Sequence, residues 1–247
     1  KSNDAPELFM SVARSALLWV SENRTLRQTL PKLGFIRQAV TRFMPGETVE
    51  DAIPSAQKLK ERSINTIFTQ LGENVTLESE TNAVRDHYLH VLDVVNTHSL
   101  DTYVSVKLTQ LGLDLDEEKC IRNISVIAER ANALKNMVWI DIEQSQYVDR
   151  TLAVFTSIRE RFSNVGLCLQ AYLYRTNNDL ENLLRLSPAI RLVKGAYREP
   201  ASVAFPKKTD VDANYFALAK VLLGNVKSKN VYAGIATHDV ALHEKIK

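Results

Sequence analysis

Hydrophobic positions along this chain follow two rhythms, and the change from one to the other divides it. From Pro6, the residues Leu8, Phe9, Val12, Ala16, Leu17, Trp19 and Val20 recur at helical spacing, with Asp4 placed to cap the run. A second helical run over 32–43 carries Leu33, Ile36, Ala39, Val40 and Phe43 on one face. Met44, Pro45 and Gly46 break the pattern. Thr48, Val49, Glu50 and Asp51 then open a helix that reaches Arg62 despite Pro54. Residues 1–60 read as a helical appendage with no chemistry of its own, an amphipathic segment suited to docking on a neighbouring domain.

From residue 63 the rhythm alternates between strand and helix. Strands are predicted over 64–71, 102–108, 137–142, 166–172, 189–194 and 231–237. Helices are predicted over 78–96, 117–134, 147–162, 179–186 and 212–226. The period approaches the roughly 30 residues of one βα unit, so 61–247 reads as an α/β barrel of the (βα)8 type. A doubly wound open sheet is the alternative. Against it, Leu71, Gly72, Glu73 and Asn74 form no Gly-rich phosphate turn after the first strand, and polar residues end every strand instead of gathering at one switch point. Strand-like segments this regular also argue against a helical repeat.

Composition changes this picture little. At 247 residues, 45% hydrophobic and 24% charged, the chain can bury one barrel-sized core. A net charge of +2 without a basic run gives no sign of nucleic acid as a partner. The two cysteines, Cys120 and Cys168, have no metal-ligand spacing, and no metal is expected. Cys168 lies in an apolar run and reads as core, in keeping with a reducing compartment. No membrane-length apolar run or secretory profile appears, so a cytoplasmic location is expected, with peripheral contact at a membrane left open.

The chemistry gathers at the strand ends, above all in AIRLVKGAY (189–197). Arg191 and Lys194 put two cations in or beside a buried strand, where each needs an anionic partner or an anionic ligand. Gly195 and Ala196 let a flat or phosphorylated group approach the backbone. Other strand ends offer Glu73, Lys107, Asp141 with Glu143, Gln170, and Thr237, His238 and Asp239; Tyr197 follows the fifth strand. In a parallel barrel these ends open on one face. Singly, each has a plain structural explanation. Asp141 can pair with Lys107 or Arg191, His238 can cap the next helix, and Glu143 reads as a satisfied rim carboxylate. Together they favour a ligand site.

Five strings carry a resemblance. VSVKLTQLG (104–112), IDIE (140–143), LQAYLYR (169–175), RLVKGAYREP (191–200) and ATHD (236–239) resemble the successive strand motifs of the proline dehydrogenase family, in its short monofunctional bacterial form. RFMPGE (42–47) and LGEN (71–74) agree, and the likeness runs in order through 40–240. It implies a distorted (βα)8 barrel with noncovalent FAD that oxidises L-proline to Δ1-pyrroline-5-carboxylate and passes electrons to a membrane quinone. By the same resemblance Arg191 lies against the flavin ring, and Val193, Lys194, Gly195 and Ala196 line the cofactor. Gln170 matches a residue bonded to the isoalloxazine, and Thr237, His238 and Asp239 match a cofactor-lining turn. Lys107 matches the lysine that pairs with the substrate carboxylate, Asp141 an active-site aspartate, and Tyr197 an aromatic over the pocket. The family pattern continues through two further strands and a final helix whose adjacent arginines clamp that carboxylate. The sequence given stops at Lys247, in the helix opened near Val240. Six of eight strands and the flavin-facing half of the site are therefore expected, with weak proline binding by this piece alone; Glu73 matches the acidic gate partner of one of those arginines. Read without the resemblance, the same residues also allow a barrel lyase with Lys107 or Lys194 as a Schiff-base nucleophile, or a noncatalytic truncated barrel.

Overall fold

The computed structural model describes residues 46, 48–72 and 75–247. The helical runs expected before residue 44 lie outside them. The described residues divide into two units, with the boundary between Lys58 and Leu59. Helix α1 (Val49–Lys60) begins where expected, because Thr48 and Asp51 each satisfy the other's backbone N–H, at 3.1 and 3.3 Å.

The second unit alternates β1 (Thr66–Thr69), α2 (Glu78–Thr97), β2 (Thr102–Lys107), α3 (Glu117–Ala133), β3 (Val138–Asp141), α4 (Val148–Arg159), β4 (Val165–Gln170), α5 (Thr176–Leu183), β5 (Ala189–Val193), α6 (Lys208–Asn225), β6 (Tyr232–Ile235) and α7 (Val240–Ile246). All strand pairs are parallel and the sheet order is β1 to β6 without reversal. A doubly wound sheet reverses at a switch point, so that alternative is excluded. Val104, Val106, Ile140, Leu167, Leu169, Ile190 and Leu192 form the helix-facing side and are fully buried. Opposite them, Ile124, Ile127, Ala128 and Ala131 of α3 and Leu218, Ala219 and Leu222 of α6 repeat at helical spacing in the same core.

Several helices end without glycine. Ser63, Ser99 and Lys135 take left-handed φ of 56, 49 and 53°, and the next residue's N–H reaches back to Leu59, Val95 and Ala131. These are Schellman-type stops built on residues that carry a Cβ, and they turn the chain into β1, β2 and β3.

The sheet is curled, as two contacts across it require. Arg191 on β5 hydrogen-bonds Ser105 on β2 at 3.0 Å, and the rings of Trp139 on β3 and Tyr232 on β6 lie 6.0 Å apart. Each pair is three strands apart, about 14 Å along a flat sheet at ~4.8 Å per strand, farther than an arginine side chain extends. Gly166 makes the interior possible. It sits in register with Trp139, and a Cβ there would lie 2.6 Å from the indole.

Candidate active site

Side chains alternate across a strand, so the face opposite the helix-packed core takes Ser105 and Lys107 from β2, Trp139 and Asp141 from β3, Cys168 and Gln170 from β4, and Arg191 and Val193 from β5. Register places Lys107 beside Asp141, Cys168 beside Arg191, and Gln170 beside Val193. Because the strands are parallel, these carboxyl-terminal ends share one rim.

Asp141 is the centre of the group. Its Oδ1 accepts from Ser105 Oγ at 2.8 Å and from Arg191 Nη2, while Lys107 Nζ stands 3.7 Å from Oδ2. The guanidinium of Arg191 also lies 5.4 Å over the Trp139 ring. The three charged side chains are only 15–20% exposed, so the cluster is substantially desolvated. Two cations share one carboxylate, which leaves one positive charge in excess. Such an arrangement is costly to fold and is suited to an anionic or polarisable ligand.

Among the described residues, Arg191 Nε and Gln170 Oε1 at this rim, and Trp139 Nε1 in the layer beneath, are buried polar atoms without a hydrogen-bond partner. Gln170 is held by its Nε2, which donates to the carbonyls of Ile142 at 2.8 Å and Glu143 at 3.3 Å and leaves Oε1 buried without a partner. Glu143 itself is fully buried and accepts from Thr109 N and Oγ1, as a satisfied rim carboxylate does. Cys168 is 5% exposed and burial pushes its thiol up to about 11, as a core residue requires.

The remaining expected residues lie apart from this cluster. Lys194 hydrogen-bonds Asp212 of α6 and, at 2.8 Å, Asp239, and Lys208 joins the same two carboxylates at 2.6 and 3.2 Å. Hydrogen bonds from Lys194, the Leu242 N–H and Lys208 hold Asp239 well below the usual carboxylate range. Burial works to raise the Asp212 carboxyl, and the bonds from Lys194 and Lys208 outweigh it, so it too is lowered. Asp239 caps α7 through Leu242 N at 3.1 Å and Thr237 Oγ1 accepts Asp239 N, whereas His238 is exposed. The capping role considered for His238 thus belongs to its neighbour. Gly195 has φ +119°, and a Cβ there would meet the Tyr172 ring at 2.3 Å; Ala196 is exposed and Tyr197 half-buried in the same loop. Glu73 lies outside the described residues.

Sequence reasoning did not pick out Ser105, Trp139, Asp212 or Lys208. Strand parity could have found the first two, each two residues before a chosen one on the same face. Glu199, in the REP end of the RLVKGAYREP string, was also passed over; it accepts from Ser145 N and Oγ at 2.7 and 2.6 Å and ties the loop after β5 to the loop after β3.

A family model described as proline dehydrogenase matches residues 52–246. The chain is 35% identical over 228 residues to "Proline dehydrogenase 1" of Bacillus subtilis subsp. natto, covering 92% of this chain and 73% of that protein. It is 33% identical over 239 residues to "Proline dehydrogenase" of Deinococcus radiodurans, covering 95% and 75%. The fold is similar to the crystal structure of proline utilization A (PutA) from Bdellovibrio bacteriovorus inactivated by N-propargylglycine, with a TM-score of 0.74 and 23% identity over 82% of this chain and 26% of that one. The chain thus spans about three-quarters of the shorter relatives and about a quarter of the longer protein. On sequence likeness along most of its length, this chain belongs to the proline dehydrogenase family and is an oxidoreductase of that family.

Proposed function

We propose that the chain takes part in oxidation of L-proline to Δ1-pyrroline-5-carboxylate with FAD as hydride acceptor and a quinone as the onward electron acceptor, and that its sheet is six strands of a (βα)8 barrel. The observation that carries the reading is the Lys107–Asp141–Arg191 cluster, with one positive charge in excess on a rim of parallel strand ends. Family membership favours this enzyme over the Schiff-base lyase and over a noncatalytic barrel.

The residues present fit a flavin. Gln170 Oε1 and Arg191 Nε are a buried acceptor and donor without protein partners, as a ring with its own donors and acceptors would need. In this reading Gln170, Arg191 and Val193 face the ring, and Lys194, Gly195, Ala196, Thr237, His238 and Asp239 line the rest of the cofactor. FAD, when bound, would supply an acceptor for hydride, and Arg191 would stabilise the negative charge that develops there. Lys107 receives the substrate carboxylate, Asp141 holds Lys107 and Arg191 in place, and Tyr197 closes over the ring. Proline with a neutral amine gives up hydride from the ring carbon beside nitrogen, and a C=N bond forms. The departing proton passes to water, and no side chain is assigned as its base. No helix of the described residues is long and apolar enough to cross a membrane; delivery to a quinone would use peripheral contact from the cytoplasmic side.

Absorbance of the purified chain supplied with FAD, with and without L-proline under anaerobic conditions, tests the proposal. Flavin bands that bleach at high proline concentration are expected, because this piece by itself is expected to bind proline weakly. A chain that takes up no flavin, or one whose flavin ignores proline, would count against it.

A further inference from the structure

Ser105 is 2% exposed and hydrogen-bonds both members of the Arg191–Asp141 pair, donating to Asp141 Oδ1 at 2.8 Å and accepting from Arg191 Nη2 at 3.0 Å. A hydroxyl has one proton, and here its direction is set by the carboxylate, which leaves the oxygen's lone pairs for the guanidinium. The backbone under it is fixed as well: the Ser105 carbonyl accepts from Tyr88 Oη at 2.8 Å, and that Oη accepts from Gln70 N at 3.0 Å. Its neighbours on the other face, Val104 and Val106, are apolar and fully buried. A residue present only to fill this interior would not need a hydroxyl bonded on both sides.

Arg191 reaches across three strand spacings, and its long side chain has rotamers to lose. Asp141 alone would fix one nitrogen while leaving the guanidinium plane free to turn about that contact. The Trp139 ring limits the plane from one side. Ser105 fixes the same Nη2 from a second strand, and the guanidinium then keeps Nε buried and unspent. We infer that Ser105 is a positioning residue, which sets the plane of Arg191 and so how that side chain meets the ligand. This role rests on the reading above, in which Arg191 faces the flavin.

The test is a fluorescence titration of FAD against the full chain, with thermal melting of each variant alongside. Four proteins form a cycle (the parent, Ser105→Ala, Arg191→Met and the double variant), and Ser105→Thr is the conservative control. Ser105 acts on FAD only through Arg191, which keeps its bond to Asp141 in the variant, so Ser105→Ala should lose a fraction of a charge-assisted hydrogen bond and bind FAD about three- to tenfold more weakly. Recovery in Ser105→Thr and no further loss on the Arg191→Met background are also expected. Unaltered FAD affinity in Ser105→Ala, or the same loss whether or not Arg191 is present, would overturn the inference. A lowered melting temperature with unchanged affinity would reduce Ser105 to a packing residue and overturn it too. A parent chain that takes up no FAD defeats the flavin reading itself and this role with it, an outcome distinct from an unaffected Ser105→Ala in a chain that binds.

Discussion

The two oxygens of Asp141 are unequally engaged. Oδ1 takes both Ser105 and Arg191, while Oδ2 has Lys107 at 3.7 Å, beyond hydrogen-bond length. Lys107 is therefore the cation of the pair left able to meet a second carboxylate. Replacing Lys107 by Ala should raise KM for proline roughly ten- to a hundredfold, the loss expected for a charge-assisted hydrogen bond, and change FAD affinity little. Steady-state kinetics on the flavin-loaded protein checks this, and an unchanged KM would remove Lys107 from the substrate role. The charged members of this cluster were legible in the sequence because charge at the end of an apolar strand is conspicuous. Ser105 was not, because a small polar residue in a buried strand reads as filler until its two partners are known. Nor could the sequence pair Lys194 with Asp212 and Asp239, which come from separate elements and meet only in the folded chain.

At the scale of the elements, α6 and α7 are fastened to the end of β5 by Lys194, Lys208, Asp212 and Asp239. Both carboxyls are lowered, so their contribution is present above the ordinary aspartate value near 4 and fades as pH falls through the native values. Lys208 is raised, first by its bond to Asp212, so its share is complete below about 10 and is lost above it. Asn caps a helix about as well as Asp, so Asp239→Asn removes the charge and keeps the cap. The stability advantage of the parent over Asp239→Asn should be constant from pH 7 to about 5 and shrink below about 4. Melting temperatures across pH 3–7 measure it; an advantage that grows towards acid would refute the linkage. Every strand and helix predicted in 61–247 is present, with ends displaced by a few residues. The helix expected from residue 212 begins at Lys208, because its charged first turn, Lys208, Thr209 and Asp210, carries no apolar rhythm to read. The helix stops at Ser63, Ser99 and Lys135 were equally hidden, since nothing in those residue types announces a left-handed turn.

At the scale of the unit Leu59–Lys247, the curl depends on what fills it. Trp139 is 2% exposed, lies beneath Arg191, occupies the space Gly166 leaves, and reaches the Tyr232 ring on β6. Trp139→Ala should cost about 3–5 kcal/mol, read from the urea midpoint at unchanged slope. A loss below about 1 kcal/mol would mean that the backbone ladder alone maintains the curvature. The sequential strand order also has a consequence in time. Neighbouring strands pair across separations such as the 36 residues between Thr66 and Thr102, while Arg191 and Ser105 are 86 apart. Each βα unit can add to the one before it as the chain is synthesised, but the Arg191–Ser105 bond forms only when the fifth strand has docked. The Lys107–Asp141–Arg191 cluster is thus among the late contacts to assemble, and a nascent chain halted before β5 should be ordered in its early strands and still lack the arginine of that cluster.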